Sequence, residues 1–99
     1  MKTETRKFDP TNYIGSPHMQ AEYLRAALED GDPDTIAIVL GDIARARGAS
    51  EFAKDTGLSR ETIYKAFRRG GNPTLDTLAK VIRALGFRLT IEPAPTPME

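Results

Sequence analysis

Apolar residues recur at helical spacing along the first half of the chain, in runs bounded by residues that start and stop helices. Ser16-Pro17 places a capping side chain before a proline that fits the first turn, and Gly31 ends that run. Asp32-Pro33 repeats the starting signal, and Gly48 ends the second run. The sequence therefore predicts two consecutive helices. Their inward positions are Met19, Tyr23, Leu24, Ala27 and Leu28, then Ile36, Val39, Leu40, Ile43 and Ala44.

Three shorter helices are predicted to follow. Residues 50–56 form the third helix, which Gly57 ends, and residues 59–69 form the fourth. The composition of residues 70–73 is typical of a loop, and the fifth helix covers residues 74–85. The caps of the last two helices are Ser59 and Thr74, and their inward positions are Ile63, Ala66, Phe67, Leu75, Leu78, Ile82 and Leu85.

The hydrophobic period changes from helical to two after the fifth helix. Residues 87–92 alternate between apolar and polar, which predicts one short β-strand. A single strand leaves its backbone groups unpaired, so it needs a partner strand from the N-terminal segment or from a second copy of the chain. We favour the second copy over a frayed C-terminus. The predicted organisation is an extended arm over residues 1–15, an all-α domain with this strand over residues 16–92, and a flexible proline-rich tail over residues 93–99.

Composition indicates one small domain that catalyses no reaction. The chain has 99 residues and no cysteine, which excludes a disulfide framework and a thiolate metal site. No apolar run approaches the roughly 20 residues that span a bilayer, and the polar N-terminus does not resemble a secretory signal. The single histidine, His18, has no plausible ligand cluster or nucleophile partner. We therefore expect a cytoplasmic protein that is not an enzyme and that uses no cofactor or metal.

Charge is balanced over the whole chain but not along it. The 14 basic and 14 acidic residues cancel. Residues 1–34 hold four basic and seven acidic side chains, a net charge of −3, whereas residues 45–69 hold seven basic and three acidic, a net charge of +4. Because a local basic patch is enough to release the counterions condensed on DNA, a neutral chain of this kind can still bind nucleic acid.

The segment 49–68 has the spacing of a helix-turn-helix. Ala53 supplies the small residue where two helices cross closely, and Gly57, four positions later, tolerates the positive φ of the turn. Leu58 fills the turn, and Ile63 is the branched residue that the second helix buries. The alternative is an ordinary helical hairpin with the same packing. The polar outer face of the second helix favours the DNA-binding interpretation.

The helical phase predicts which side chains of the second helix contact DNA. Arg60 and Lys65 can pair with the O6 and N7 of guanine, and Glu61 can accept from the N4 of cytosine. Tyr64 offers a flat face to thymine methyl groups. The alternative for each charge is a solvated helix face. The predicted DNA-binding residues are Ser59, Arg60, Glu61, Tyr64, Lys65, Arg68 and Arg69, with Asn72 and Thr74 as phosphate contacts at the start of the fifth helix.

These residues resemble a known group of DNA-binding domains. Ala53, Gly57, Ile63, the 72–74 loop and the fifth helix are similar to the lambda-repressor-like helix-turn-helix of the Cro and XRE group. Nearly the whole chain, residues 8–91, resembles the addiction-module antidote proteins, which are antitoxins of HigA type. The segments that carry this resemblance are Phe8-Asp9-Pro10, residues 21–24 and 27–33, residues 40–48 and residues 56–61.

The resemblance implies a bacterial type II toxin–antitoxin module. In that family the antitoxin neutralises a small RelE/HigB-like ribonuclease toxin and represses its own operon as a homodimer on double-stranded operator DNA, which would place it on the nucleoid. RNA-cleaving toxins are typically basic, so the acidic end of this chain is a candidate toxin surface. Its apolar insertions are Phe8, Tyr13, Ile14 and Tyr23.

Other interpretations remain open from the sequence. Tyr23 and Leu24 can simply pack on the core of the domain instead of meeting a toxin. The protein can also be a prophage-type repressor without a toxin partner, or a helical adaptor that has lost DNA binding. The outward Arg60, Lys65 and Arg68 argue against the adaptor.

Overall fold

The computed structural model describes residues 15–95, and this part of the chain folds into five α-helices. The all-helical architecture and the number of helices confirm the sequence prediction. The helices are α1 (Pro17–Asp30), α2 (Pro33–Arg47), α3 (Ala49–Thr56), α4 (Arg60–Ala66) and α5 (Leu75–Ala84).

Four of the helices begin at the caps that the sequence predicts. In each case the side-chain oxygen of the cap accepts a hydrogen bond from the backbone N–H three residues later, at 3.0–3.1 Å. These contacts satisfy N–H groups that have no partner within a helix. The capping residues are Ser16, Asp32, Ser59 and Thr74.

Helix α2 lies at the centre of the core. It packs against α1, α3 and α4, and α5 packs against α3. Leu40 and Ile43 of α2 and Val81 of α5 are fully buried, and Phe52 of α3 is almost as inaccessible. The short helices α3 and α4 both pack against α2, and α3 also packs against α5. The longer helices therefore position the two short ones.

A buried polar contact joins three of these helices. The Gln20 side chain of α1, which is 2% exposed, accepts a hydrogen bond from the Arg47 Nε at 2.8 Å. The same guanidinium donates to the carbonyl oxygen of Leu85 at 3.3 Å. Arg47 therefore ties the end of α2 to α1 and to the end of α5. The sequence analysis counted Arg47 in the basic segment 45–69 and did not predict this structural role.

Some details of the prediction are wrong. Helix α4 ends at Ala66, about one turn before Arg69, because Phe67 leaves the helical conformation (φ −106°, ψ 64°) and is buried. Leu75 is 81% exposed and Leu28 is 38% exposed, so neither is the core position that periodicity predicted. Leu75 is the first residue of α5, and the buried residues of this helix come later, at Thr77, Val81 and Ile82.

The strand predicted over residues 87–92 is not confirmed. Within the part of the chain that the structure describes, residues 87–95 belong to no helix and to no strand. The prediction required a partner strand, because a strand is defined by its pairing. In a single copy of the chain, the segment finds no such partner among the described residues.

Candidate nucleic-acid interface

The turn between α3 and α4 has the backbone conformation that the sequence predicts. Gly57 lies in the left-handed region (φ 77°), and its N–H donates to the Ala53 carbonyl at 2.9 Å. A residue with a Cβ is strained in this region, which explains the glycine. Ala53 and Leu58 pack at the edge of the core. Their positions agree with the spacing argument.

Thr56 holds this turn in a way that sequence reasoning missed. Its hydroxyl donates to the Phe52 carbonyl at 2.9 Å and accepts from the Leu58 N–H at 3.2 Å. The residue is buried, with 8% exposure. A threonine one position before a C-capping glycine was a visible signal, because its hydroxyl can bond both the preceding helix and the turn.

Helix α4 presents one buried face and one exposed face. Ile63, Ala66 and Phe67 are buried, as predicted from the phase of the helix. The opposite side is open to solvent, so the predicted contact residues share one surface. The exposed residues are Ser59, Arg60, Glu61, Tyr64, Lys65, Arg68 and Arg69. We call this set the α4 face.

Arg60 and Tyr64 form a pair on the α4 face. The Arg60 guanidinium donates to the Tyr64 hydroxyl at 3.3 Å and lies 5.9 Å from the centre of the ring. This is the i, i+4 spacing at which helical side chains meet, and the guanidinium position permits a cation–π contact. The hydrogen bond to Tyr64 raises the pKa of Arg60 above its usual range. In this pair the Arg60 guanidinium is exposed to solvent.

Two further cations of the α4 face have no acidic partner. Among residues 15–95, no ion pair involves Lys65 or Arg68, and none involves Arg60. Glu61 is the one carboxylate within the face, and it is exposed. Exposed cations without an acidic partner produce a local positive potential, although the whole chain is neutral.

Arg69 differs from the other cations because it contacts a carboxylate. Its Nη1 lies 3.4 Å from Asp34 Oδ2, and Asp34 Oδ1 accepts the N–H of Gly70 at 2.8 Å. Asp34 of α2 therefore anchors the loop that follows α4. Sequence analysis missed this role, since residues 35 positions apart carry no local signal. The Arg69 side chain is 76% exposed, so the ion pair is weak and can exchange for another anion.

Asn72 and Thr74 flank the start of α5. Asn72 is exposed and is the residue other than glycine that adopts a positive φ (52°) within residues 15–95. Asparagine tolerates this conformation better than most residues. Thr74 is exposed and uses its hydroxyl as the N-cap of α5, where it also donates to the Thr77 hydroxyl at 3.0 Å. Both residues are therefore accessible at the helix start.

The acidic end of the molecule contains Tyr23 of α1. Its hydroxyl donates to Asp42 Oδ2 at 2.8 Å, and Asp42 in turn pairs with Arg45. The ring is partly buried and packs against the core. This placement gives Tyr23 a structural role, which is the alternative that the sequence left open. Three other predicted toxin contacts lie outside the described residues: Phe8, Tyr13 and Ile14.

We expect the Tyr23 phenol to ionise only at unusually high pH. Burial, followed by the hydrogen bond to the Asp42 carboxylate, raises the pKa of Tyr23 from 10.0 to about 12. The phenol is protonated in the folded and the unfolded chain below pH 10, so its contribution to stability is fully present there and is lost as the pH rises through about 12. An absorbance titration of the phenolate should show one tyrosine that titrates near pH 12. That component should vanish in Tyr23→Phe, and its persistence in the variant would contradict the assignment.

Residues 15–95 contain neither a metal-binding cluster nor a membrane-spanning helix. No group of three or more His, Cys, Asp or Glu side chains in this range could hold a metal ion. None of the helices in this range is long and apolar enough to cross a membrane.

The described residues form a small helical domain with exposed basic side chains on the α4 face. The family described as "Probable addiction module antidote protein" matches residues 4–93 of the chain. This protein belongs to that family. It is also 38% identical over 92 residues to a protein of Haemophilus influenzae (strain Rd) that is named only as uncharacterized, and the match covers 93% of this chain and 95% of the relative.

No solved structure is significantly similar to this chain. Membership of the antidote family indicates an antitoxin role in a toxin–antitoxin module, with a cognate toxin as the partner. It also indicates a regulatory protein rather than an enzyme.

Proposed function

We propose that this protein is the antitoxin of a type II toxin–antitoxin module. It neutralises a RelE/HigB-like ribonuclease toxin and represses its own operon through a lambda-repressor-like helix-turn-helix formed by α3 and α4. The observation that carries the DNA-binding half is the α4 face, where Arg60, Lys65 and Arg68 are exposed and have no acidic partner among residues 15–95. The family supports the antitoxin half.

In this proposal α4 enters the major groove of the operator. The first residues of a recognition helix contact base edges, which assigns base contacts to Arg60, Glu61 and Tyr64. Residues at the end of the helix and in the next loop contact phosphates, which fix position without selecting sequence. The proposed phosphate contacts are Arg68, Arg69, Asn72 and Thr74.

Two copies of the chain bind the operator as a homodimer. Helix-turn-helix dimers contact half-sites about one DNA turn apart, roughly 34–36 Å, so we expect a palindromic operator in the promoter of the protein's own operon. The compartment that follows is the bacterial cytoplasm, with the dimer on the nucleoid when it is bound to DNA.

Arg60→Ala tests the assignment of a base contact. We expect this substitution to weaken operator binding by about 1–3 kcal/mol and to relax selectivity at one base position, because a bidentate arginine–guanine pair discriminates by that amount. Shift assays on a set of single-base operator variants measure both effects. Arg83→Ala, which removes one positive charge from an exposed site on α5 outside the α4 face, is the matched control. Unchanged affinity and selectivity in Arg60→Ala would show that Arg60 contacts no base.

The toxin site is proposed at the acidic end of the chain. Glu22, Glu29, Asp30 and Asp32 are exposed there, and a basic toxin is the complementary partner. Phe8, Tyr13 and Ile14 are proposed as the apolar contacts. Tyr23 is the weakest member of this set, because its hydroxyl and ring are used within the domain.

Calorimetric titration against the product of the adjacent gene tests the antitoxin proposal. Tight binding that suppresses the toxin's cleavage of RNA is the expected result. Removal of residues 1–31 would also remove Leu24 and Ala27 from the core, so point variants are the better probes of the interface. Phe8→Ala and Tyr13→Ala should weaken the complex, whereas Lys65→Ala on the α4 face should not. Absence of binding would leave a repressor without a toxin partner.

A further inference from the structure

Residues 88–92 form a short exposed segment with free backbone groups. All five residues are exposed, and no backbone hydrogen bond in the described part of the chain involves them. The segment has defined ends. The N–H of Phe87 donates to the Ile82 carbonyl at 3.1 Å, which attaches Phe87 to the end of α5. Pro93 has no N–H and cannot continue a ladder.

The segment runs beside an open cleft. The cleft has a volume of about 520 Å³ and lies between α1, Ile82 of α5 and the segment itself. Its apolar lining includes Leu24 and Leu28 of α1 together with Leu89 and Ile91 of the segment. Leu89 is 48% exposed and Ile91 is 99% exposed, so both large apolar side chains contact solvent. The cleft beside them is mixed, because Arg25 and Glu29 of α1 also line it.

We propose that residues 88–92 pair in antiparallel fashion with the same residues of a second copy of the chain, with Thr90 on the two-fold axis. The two segments form a ribbon, and its apolar side closes over the cleft of each copy. This inference deepens the homodimer of the proposed function, on which it rests, by naming the surface and the register.

The side-chain pattern limits the register. Directly opposite residues in an antiparallel pair lie on the same side of the ribbon, so apolar residues meet apolar residues only when odd positions face odd positions. A register centred on Arg88 would place two like charges opposite each other, which is unfavourable. The centre of the free segment between Phe87 and Pro93 is Thr90.

The register centred on Thr90 also pairs the charges. It places Arg88 of each copy opposite Glu92 of the other, so the two-fold symmetry gives two such pairs. It also places Leu89 of each copy opposite Ile91 of the other, so the apolar residues of both copies share one side of the ribbon. A register centred on Leu89 would instead require Phe87, which already packs on the core of its own copy, and would leave Glu92 without a basic partner. Charge complementarity therefore favours a second copy over another occupant.

Single-cysteine variants test the register directly, since the chain contains no cysteine. We expect Thr90→Cys to form a disulfide-linked dimer rapidly under mild oxidation. Opposite residues have Cα atoms about 4.5–5.5 Å apart, within the disulfide range of about 4.4–6.8 Å. Leu89→Cys should react at least about tenfold more slowly, because its two copies are diagonal neighbours roughly 7–8 Å apart. Lys54→Cys, exposed on α3, gives the rate of random collisions.

Faster crosslinking at Leu89→Cys than at Thr90→Cys would overturn the register. A Thr90→Cys rate equal to that of Lys54→Cys would overturn the ribbon itself, whether the protein is a monomer, is dimeric elsewhere or uses the cleft for a toxin. The reaction needs neither DNA nor toxin. Operator shift assays on the unmodified protein therefore report separately on the proposed function.

Charge reversal provides a second, independent test. Arg88→Glu should raise the dimer dissociation constant by about tenfold, because two attractive pairs become repulsive. The double variant Arg88→Glu with Glu92→Arg should return to within about twofold of the original value, since each pair is restored with its signs exchanged. Sedimentation equilibrium measures both constants. Failure of the double variant to recover would contradict the proposed pairing.

Discussion

Replacing Gly41 with alanine is expected to destabilise the fold by about 3 kcal/mol, although alanine is the better helix former. Gly41 is buried in the middle of α2, at the point where the end of α4 crosses it. A Cβ at this position would overlap the carbonyl oxygen of Phe67. The obstacle is backbone and cannot move aside like a flexible side chain, so α4 would have to shift away from α2.

Thermal and urea unfolding measure this effect. For a domain of this size, about 3 kcal/mol corresponds to a fall in Tm of roughly 12–24 °C. Ala26→Gly, at an exposed site on α1, is the matched control for helix propensity and should cost up to about 1 kcal/mol. If Gly41→Ala instead stabilised the protein by a similar amount, α2 and the end of α4 could not be in contact as described.

This contact also explains why local sequence signals predicted the start of α4 better than its end. Ser59 caps the helix through the hydrogen bond expected from its position, because capping depends on residues only three positions apart. The end at Ala66 depends on burial of Phe67 against α2, which joins segments about 26 positions apart. A glycine inside the α2 pattern was the available signal, since such a residue often marks a close approach.

The α4 face could be predicted because helical phase assigns exposure. A period of 3.6 turns Tyr64, one position after Ile63, about 100° away from that buried side chain. Arg60 lies three positions before Ile63 and is exposed at the first position of the helix, and its i, i+4 spacing from Tyr64 allows the contact that is observed. The partner of Arg69 could not be predicted in this way. Asp34 reaches the loop from the first turn of another helix, where the sequence indicated only a role at the helix start.

Removal of three cations from the α4 face is expected to weaken operator binding strongly. In the triple variant Arg60→Ala, Lys65→Ala and Arg68→Ala, we expect affinity to fall by about 10²–10³-fold at physiological salt, equivalent to about 3–4 kcal/mol. One base contact and the electrostatic attraction of two further cations are lost together. The salt dependence of binding should also become shallower by about 2 in the slope of log K against log salt concentration, because fewer counterions are released.

The fold should tolerate these changes, which separates them from Gly41→Ala. All three side chains are exposed and form no ion pair within residues 15–95, so the Tm should change by only a few degrees. The matched control is Arg25→Ala, Lys80→Ala and Arg83→Ala, which removes the same charge from exposed positions on α1 and α5. An equal loss of affinity in both triple variants would show that net charge, rather than the α4 face, determines binding. Binding to the toxin should survive in the α4 triple variant, because none of the proposed toxin contacts belongs to the α4 face.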